Sequence, residues 1–256
     1  MDSESVLPAP DALTLKGKVA LVTGSARRVG RAIALELAAH GMHQIVHHSS
    51  SPRDAEDAAA AIRALGVEAV VAQADLRQPE SIRALFATAE SHFGRLDVLV
   101  NSAASFKRTP ILEVSLEEWR EVLDVNLTAP FLCAQHAVPL MRVSGDGGSI
   151  INIIDLSAFR PWKAYPHHSV SKAGLHMLTE VLAISLGPDI RVNAVAPGPV
   201  LRDEGNSPEQ WARIGQRLPL QRTGDPRDVA RAVAFLAAQP FITGATLRVD
   251  GGESVI

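Results

Sequence analysis

The 256-residue chain holds one cysteine, Cys133, which excludes an internal disulfide framework and fits a reducing compartment. Aromatic side chains are scarce, 4% of residues against 46% hydrophobic overall. The core must therefore be built from Ala, Val, Leu and Ile, as in sheets covered by helices on both faces. Neither sign of charge dominates: a formal net charge of −3 gives no general attraction for nucleic acid or an anionic membrane. No apolar run approaches the roughly 20 residues that span a bilayer. The opening MDSESVLPAPDALTL is acidic and carries prolines, unlike the basic-then-apolar pattern of a secretory signal. These absences lead to the expectation of a cytoplasmic protein acting on a small molecule, with residues 1–15 as a flexible tail and residues 16–256 as a single domain. There is no internal repeat and no low-complexity segment.

What is present alternates. KVALVTG, QIVHH, EAVVAQAD, LDVLVNSA, GSIINIID, IRVNAVAP and ATLRVDG read as short β-rich runs. Between them lie amphipathic stretches predicted to be helices, at 29–40, 54–65, 81–92, one long helix over 116–142, then about 166–186, 208–217 and 226–238. About seven strands in such alternation predict an α/β doubly wound parallel sheet, with all carboxyl ends on one edge. The segment 199–220 follows the sixth strand and is expected to cover the substrate.

Three chemical features should converge on that edge. In the first, Thr23-Gly24-Ser25-Ala26-Arg27-Arg28-Val29-Gly30 joins the first strand to the first helix, where glycines allow a tight turn and a helix N-terminus attracts a diphosphate. Taken alone, this glycine-poor turn reads equally well as an ordinary strand-to-helix connection. In the second, the second strand ends in His47, His48, Ser49, Ser50 and Ser51 with no Asp or Glu, while Arg27, Arg28 and Arg53 are near. An acid there binds a ribose 2′-hydroxyl, whereas arginine and serine suit a 2′-phosphate, which favours NADPH/NADP+ over NADH. In the third, His168 and Lys172 lie one helical turn apart and project from the same face, and Asp155 closes the fifth strand.

Taken in order, TGSARRVG, Asp75-Leu76, VNSA, Asn126 in DVNL, HSVSK and Pro197-Gly198 resemble the short-chain dehydrogenase/reductase superfamily from about Lys16 to the C-terminus. The resemblance implies a single Rossmann-type domain in which Gly24, Arg27, Arg28, Val29, Gly30, His48, Ser49 and Ser50 bind the cofactor. It implies further that Asp75-Leu76 meets the adenine, that Asn101 and Ala103 line the cofactor, and that Pro197-Gly198 passes the nicotinamide. Lys172 would bind the nicotinamide ribose, and Asn126 would support a water chain leading to it. The ending RVDGG is similar to that of the superfamily, and a homotetramer is the implied assembly.

Arg28 in place of the usual middle glycine, Ala104 in place of the last glycine of VNSA, and Asp155 in place of the usual serine bring the chain nearest to the pteridine reductases. That likeness implies that Phe106 stacks a pterin ring against the nicotinamide, that Arg28 sits between cofactor phosphates and substrate, and that Tyr165 belongs to the pocket.

The chain departs from the superfamily at position 168, where the usual tyrosine is histidine. An imidazole, with an unperturbed pKa of about 6.5, can still donate a proton near neutrality. A nearby carboxylate favours its charged form and a cationic lysine opposes it. The expectation is an NADPH-dependent reductase of a pterin-like or related flat heterocycle, with an Asp155–His168 pair as acid and Asn126 and Lys172 in support. Tyr165, the only tyrosine, is the second candidate donor, and Trp162 a candidate for the pocket. One alternative is an NADPH-dependent carbonyl reductase of a ketone or 3-oxoacyl substrate. Another is a nucleotide-binding member that has lost turnover. A metal is not expected, because His47-His48 and His167-His168 are adjacent pairs whose side chains diverge.

Overall fold

The computed structural model describes residues 14–143, 145–202 and 205–256. The proposed tail lies outside this range except at its end, where Leu15 is buried against the core, so the packed structure begins before Lys16.

Seven parallel strands form one sheet in the order β3-β2-β1-β4-β5-β6-β7, as the alternation anticipated. They are β1 Val19–Val22, β2 His43–His48, β3 Ala69–Gln73, β4 Val98–Asn101, β5 Gly148–Ile153, β6 Ile190–Pro197 and β7 Thr246–Val249. Helices α1 (Arg28–Ala39), α2 (Pro52–Arg63) and α8 (Pro226–Ala238) pack on one face. On the other lie α3 (Pro79–Phe93), α5 (Ala129–Arg142) and the C-terminal part of α6 (Pro166–Leu186). The sequence explains the helix starts. Proline occupies the first turn of α2, α3, α6 and α8, where its missing N–H costs nothing. Asp225 and Asp228 form a reciprocal capping box on α8, as Ser207 and Gln210 do on α7 (Pro208–Arg217). Among the described residues, no helix is long and apolar enough to cross a membrane.

The long helix expected over 116–142 is not uniform. Helix α4 (Leu116–Leu123) and α5 are joined by a π-helical turn, Asp124–Thr128. Such turns insert a residue into a helical path and concentrate at functional sites. Here the turn carries Asn126, fully buried, whose amide is committed to groups outside the helix.

Strand order reverses between β1 and β4, and this switch point defines the crevice where ligands of open α/β sheets bind. Thr23 bridges it: its N–H donates to Val100 O at 2.9 Å, and its Oγ1 accepts from Ser102 N at 2.9 Å and Ala103 N at 3.0 Å. The neighbouring strand ends are tied by His47. Its Nδ1 accepts from Gly24 N at 2.9 Å, and its Nε2 lies 3.1 Å from Ala74 O. A bare Nδ1 requires the proton on Nε2, so this is a neutral imidazole spanning the ends of β1, β2 and β3.

Burial, opposed by the Ala74 carbonyl and reinforced by His48, lowers the His47 pKa to about 4. Between pH about 6.5 and about 4 the unfolded chain thus binds more protons than the folded one. Stability contributed by the neutral ring is complete above pH 6.5 and is lost as pH falls through this window, amounting to about 3 kcal/mol. Urea denaturation of the natural chain and His47→Leu at several pH values should give a difference in stability that shrinks by roughly that amount from pH 7 to 4. A pH-independent difference would show that His47 does not titrate between the states.

Candidate active site

Beyond the carboxyl edge of the sheet lies a cleft of about 500 Å3. One end is walled by the turn from Gly24 to Gly30 and by His48, Ser49 and Ser50, and the other by Phe106, Asp155, His168 and Lys172. Ala103 and Pro197 complete the middle.

The turn is built by close approach. Gly24 has φ +70°, and a Cβ on Gly30 would lie 2.4 Å from Gly24 O, so neither position tolerates a side chain. Arg28 also adopts a left-handed conformation, φ 56°, at the position where the related superfamily has glycine. For a residue with a Cβ this costs on the order of 1 kcal/mol. Its guanidinium-bearing side chain lines the cleft. Strain of this kind persists where the side chain has a use. Beside it, the buried His48 Nδ1 has no partner among the described residues, although the ring lines the cleft. Burial lowers the His48 pKa, with Glu56 opposing. A buried ring nitrogen without a partner, two serines and the exposed Arg27 form a donor-rich wall suited to a phosphorylated ribose.

At the opposite end, His168 Nε2 lies 2.6 Å from Asp155 Oδ2. Asp155 caps the short turn Leu156–Ala158, so its Oδ1 accepts from Ser157 N at 2.8 Å and Ser157 Oγ at 2.5 Å. Burial pushes the Asp155 pKa up, but hydrogen bonding to His168, the Lys172 charge and Ser157 outweigh it and hold the carboxyl below its usual range. The pair therefore consists of a carboxylate and a protonated Nε2.

The second ring nitrogen has two partners. His168 Nδ1 lies 3.2 Å from Ser105 O and 3.3 Å from Asn126 Nδ2. A charged ring donates to the Ser105 carbonyl, whereas a neutral ring accepts from the Asn126 amide only when that N–H leaves Ser105 O or Ser171 Oγ, each 3.0 Å away. Asn126 is itself fixed, accepting from Ser105 N at 2.7 Å and donating to Ser171 Oγ at 3.0 Å. Its hydrogen bonds thus run to Ser105, Ser171 and His168.

Lys172 Nζ donates to Ile153 O at 2.7 Å. Burial lowers the lysine pKa, with Asp155 opposing. The half-exposed Phe106 stacks on Tyr165, centroids 4.2 Å apart at 14°, and meets the His168 ring edge-on at 4.7 Å. Trp162 lies parallel to His168 at 6.2 Å. Tyr165 and Trp162 thus back the cleft through Phe106 and His168.

Four of the expected cofactor residues have partners of their own. Asn101 is buried, donating to Asn152 Oδ1 at 2.8 Å, because its strand position points into the sheet–helix layer and away from the cleft. Leu76 belongs to the core, and the Asp75 carboxylate is turned to the Arg77 guanidinium at 2.6 Å. Gly198 is pressed against Asp250, where a Cβ would lie 2.8 Å from the Asp250 Cα. None of these four lines the cleft. In 199–220, helix α7 stands as expected, with Trp211 half-buried. Conversely, the sequence reading overlooked Ser105, Ser157 and Ser171, three short polar residues without a recognisable pattern, and it missed the role of His47. The histidine pairs diverge: His167, fully buried, turns its Nε2 to within 3.0 Å of Glu118 Oε1 while His168 faces Asp155. Among the described residues no group of three or more potential ligands is placed to hold a metal.

A switch-point crevice, a glycine-bearing turn at a helix N-terminus and a proton-transfer cluster facing it define a dinucleotide-dependent oxidoreductase. Comparison with known proteins agrees. Residues 24–254 match the family model described as enoyl-(acyl carrier protein) reductase. The chain is 38% identical to glucose 1-dehydrogenase 2 of Bacillus subtilis, over 94% of this chain and 96% of that one. It is 39% identical to 3-oxoacyl-[acyl-carrier-protein] reductase of Synechocystis sp., over 93% and 97% respectively. Among solved structures it superposes on the FolM alternative dihydrofolate reductase 1 of Brucella canis complexed with NADP, TM-score 0.89 and 33% identity, covering 95% of this chain and 96% of that one. The chain belongs to the short-chain dehydrogenase/reductase family.

Arg28→Gly should relieve the left-handed strain and raise stability by up to about 1 kcal/mol, while weakening any ligand that the arginine contacts. Thermal unfolding with and without NADP+ checks both halves. A lower melting temperature for the free variant would remove the strain assignment.

Proposed function

We propose that the chain is an NADPH-dependent reductase of a flat, pterin-like heterocycle, with the Asp155–His168 pair as its proton source. The observation that carries this reading is the 2.6 Å contact of His168 Nε2 with Asp155 at the end of the cleft where Phe106 presents an aromatic surface. The Gly24–Gly30 turn, His48, Ser49 and Lys172 would hold NADPH in the cleft, where the chemistry it would supply is hydride for the carbon of a C=N bond. The substrate nitrogen takes up the accompanying proton from a charged His168, whose Nε2–H turns from Asp155 Oδ2 to the substrate, leaving a neutral ring that solvent reprotonates. Asn126 and Ser105 hold the ring as its charge changes, which is the preorganisation that general acid catalysis needs. Lys172 stabilises the Asp155 carboxylate, and its position in the cleft lining supports a role in binding the nicotinamide ribose. The serine-rich end of β2 and Arg27 favour the 2′-phosphate of NADPH, and an NADP-bound relative supports that preference. The dihydrofolate reductase description of the same relative supports the substrate class.

A second reading, reduction of a ketone or 3-oxoacyl carbonyl, draws support from a specific observation. Tyr165 already covers one face of Phe106, which leaves the aromatic surface narrower than an open clamp. The Synechocystis relative is named for that reaction. Homotetrameric assembly belongs to either reading, and the exposed apolar stripe Val170, Met177, Val181 and Ile184 on α6 supports association between copies.

NADPH consumption by the purified protein with dihydrobiopterin, dihydrofolate and a ketone panel separates the readings. Pterin turnover should fall at least about a hundredfold in His168→Phe and Asp155→Asn. Phe106→Ala should raise KM for the heterocycle about tenfold while leaving ketone turnover unchanged. Full activity in folded His168→Phe would overturn the acid assignment, and turnover of ketones alone would select the carbonyl reading.

A further inference from the structure

We propose that His47 is a positioning residue for cofactor binding: by holding the Gly24 amide to the end of β3, it fixes the turn in the shape that receives the dinucleotide diphosphate. This rests on the cleft being a dinucleotide site, and it concerns a side chain behind that site.

Helix α1 begins four residues after Gly24, and the intervening turn must be held in an unusual path, with left-handed residues at Gly24 and Arg28. A turn of this kind has few internal hydrogen bonds to keep it in place, so its supports come from outside. The backbone of β2 gives one: Ser25 N donates to His47 O at 3.0 Å, and Ser25 Oγ accepts from His47 N at 3.0 Å. The imidazole gives the other. Nδ1 takes the Gly24 N–H at 2.9 Å while Nε2 donates to Ala74 O at 3.1 Å. Ala74 N in turn donates to His48 O at 3.0 Å, so the end of β3 is anchored to β2 independently of the ring. The Gly24 amide therefore reaches a rigid abutment through one planar group 2% exposed to solvent. Neutral histidine suits this place because it offers an acceptor and a donor at opposite corners of a ring that cannot flex. His47 does not line the cleft, and its effect on a ligand passes through Gly24.

The amides of asparagine and glutamine separate the two bonds. In His47→Asn the side-chain oxygen falls near the place of Nδ1 and can still accept from Gly24. In His47→Gln the longer side chain reaches toward Ala74 and leaves Gly24 without its acceptor. Calorimetric titration of NADP+ into each variant, with folding verified by circular dichroism, should show His47→Gln binding about tenfold more weakly and His47→Asn within about threefold of the natural chain. Amide exchange at Gly24, measured without nucleotide, should accelerate in His47→Gln and not in His47→Asn. Equal affinity in the two variants, or weaker binding in His47→Asn, overturns the proposal. Failure of the natural chain to bind NADP+ or NAD+ would overturn both the dinucleotide reading and the proposal. Loss of pterin reduction with nucleotide binding intact would count only against the reductase reading. At saturating NADPH, kcat of His47→Gln should equal that of the natural chain, since only cofactor affinity is altered.

Discussion

Much of the site depends on a buried chain of polar side chains beneath it. Asn101 on β4 donates to Asn152 on β5, Asn152 donates to Thr179 on α6 at 2.9 Å, and Thr179 closes onto the Leu175 carbonyl of its own helix at 2.8 Å. Apolar contacts alone leave a helix free to slide or turn over a sheet with modest loss, whereas a misplaced Asn or Thr would sit buried without a partner. These bonds therefore fix both the height and the rotation of α6. His168, Lys172, Leu175 and Thr179 follow one another at helical spacing along a single buried stripe, so fixing Thr179 fixes the residues above it. The contact between His168 and Asp155 is the far end of that constraint.

A second constraint acts from the opposite side. The π turn between α4 and α5 directs Asn126 at the Ser105 backbone, and Ser105 in turn offers its carbonyl to the imidazole. A parallel sheet brings the loops after β4 and β5 to one edge, but only these bonds set the approach of those loops to α6. The chemistry is thus held by three elements that meet at one ring: a strand end with its capping carboxylate, a helix stripe, and a loop clamped by asparagine. The opposite end of the cleft follows the same rule with different residues, since Thr23 clamps the loop after β4 and His47 clamps the turn after β1.

Much of this was legible in the sequence. Alternation of β-rich runs with amphipathic stretches suffices for the strand count and for a doubly wound parallel sheet, because right-handed crossovers leave few ways to arrange them. Asp155, His168 and Lys172 stood out by the resemblance and by their places at a strand end and on one helix face, and Asn126 by the resemblance. The π turn was not legible, since its sequence is as helical as its neighbours and only the demand of Asn126 for partners across the gap selects it. Asn101, Asp75, Leu76 and Gly198 were assigned to the cofactor by resemblance, and each has a neighbour that spacing cannot reveal: Asn152, Arg77, the core and Asp250. The role of His47 was missed for a related reason. A histidine's role depends on which groups face its two nitrogens, and those lie 23 and 27 residues away in the chain.

Tyr165 is the only tyrosine of the chain, and it lies flat against Phe106 with Trp162 edge-on at 6.2 Å. The protein thereby carries a built-in chromophore behind the Phe106 wall of its own cleft. Near-ultraviolet dichroism of the phenol, taken as the difference between the natural chain and Tyr165→Phe so that the three tryptophans cancel, reports the geometry of that stack and changes with any ligand that parts the two rings.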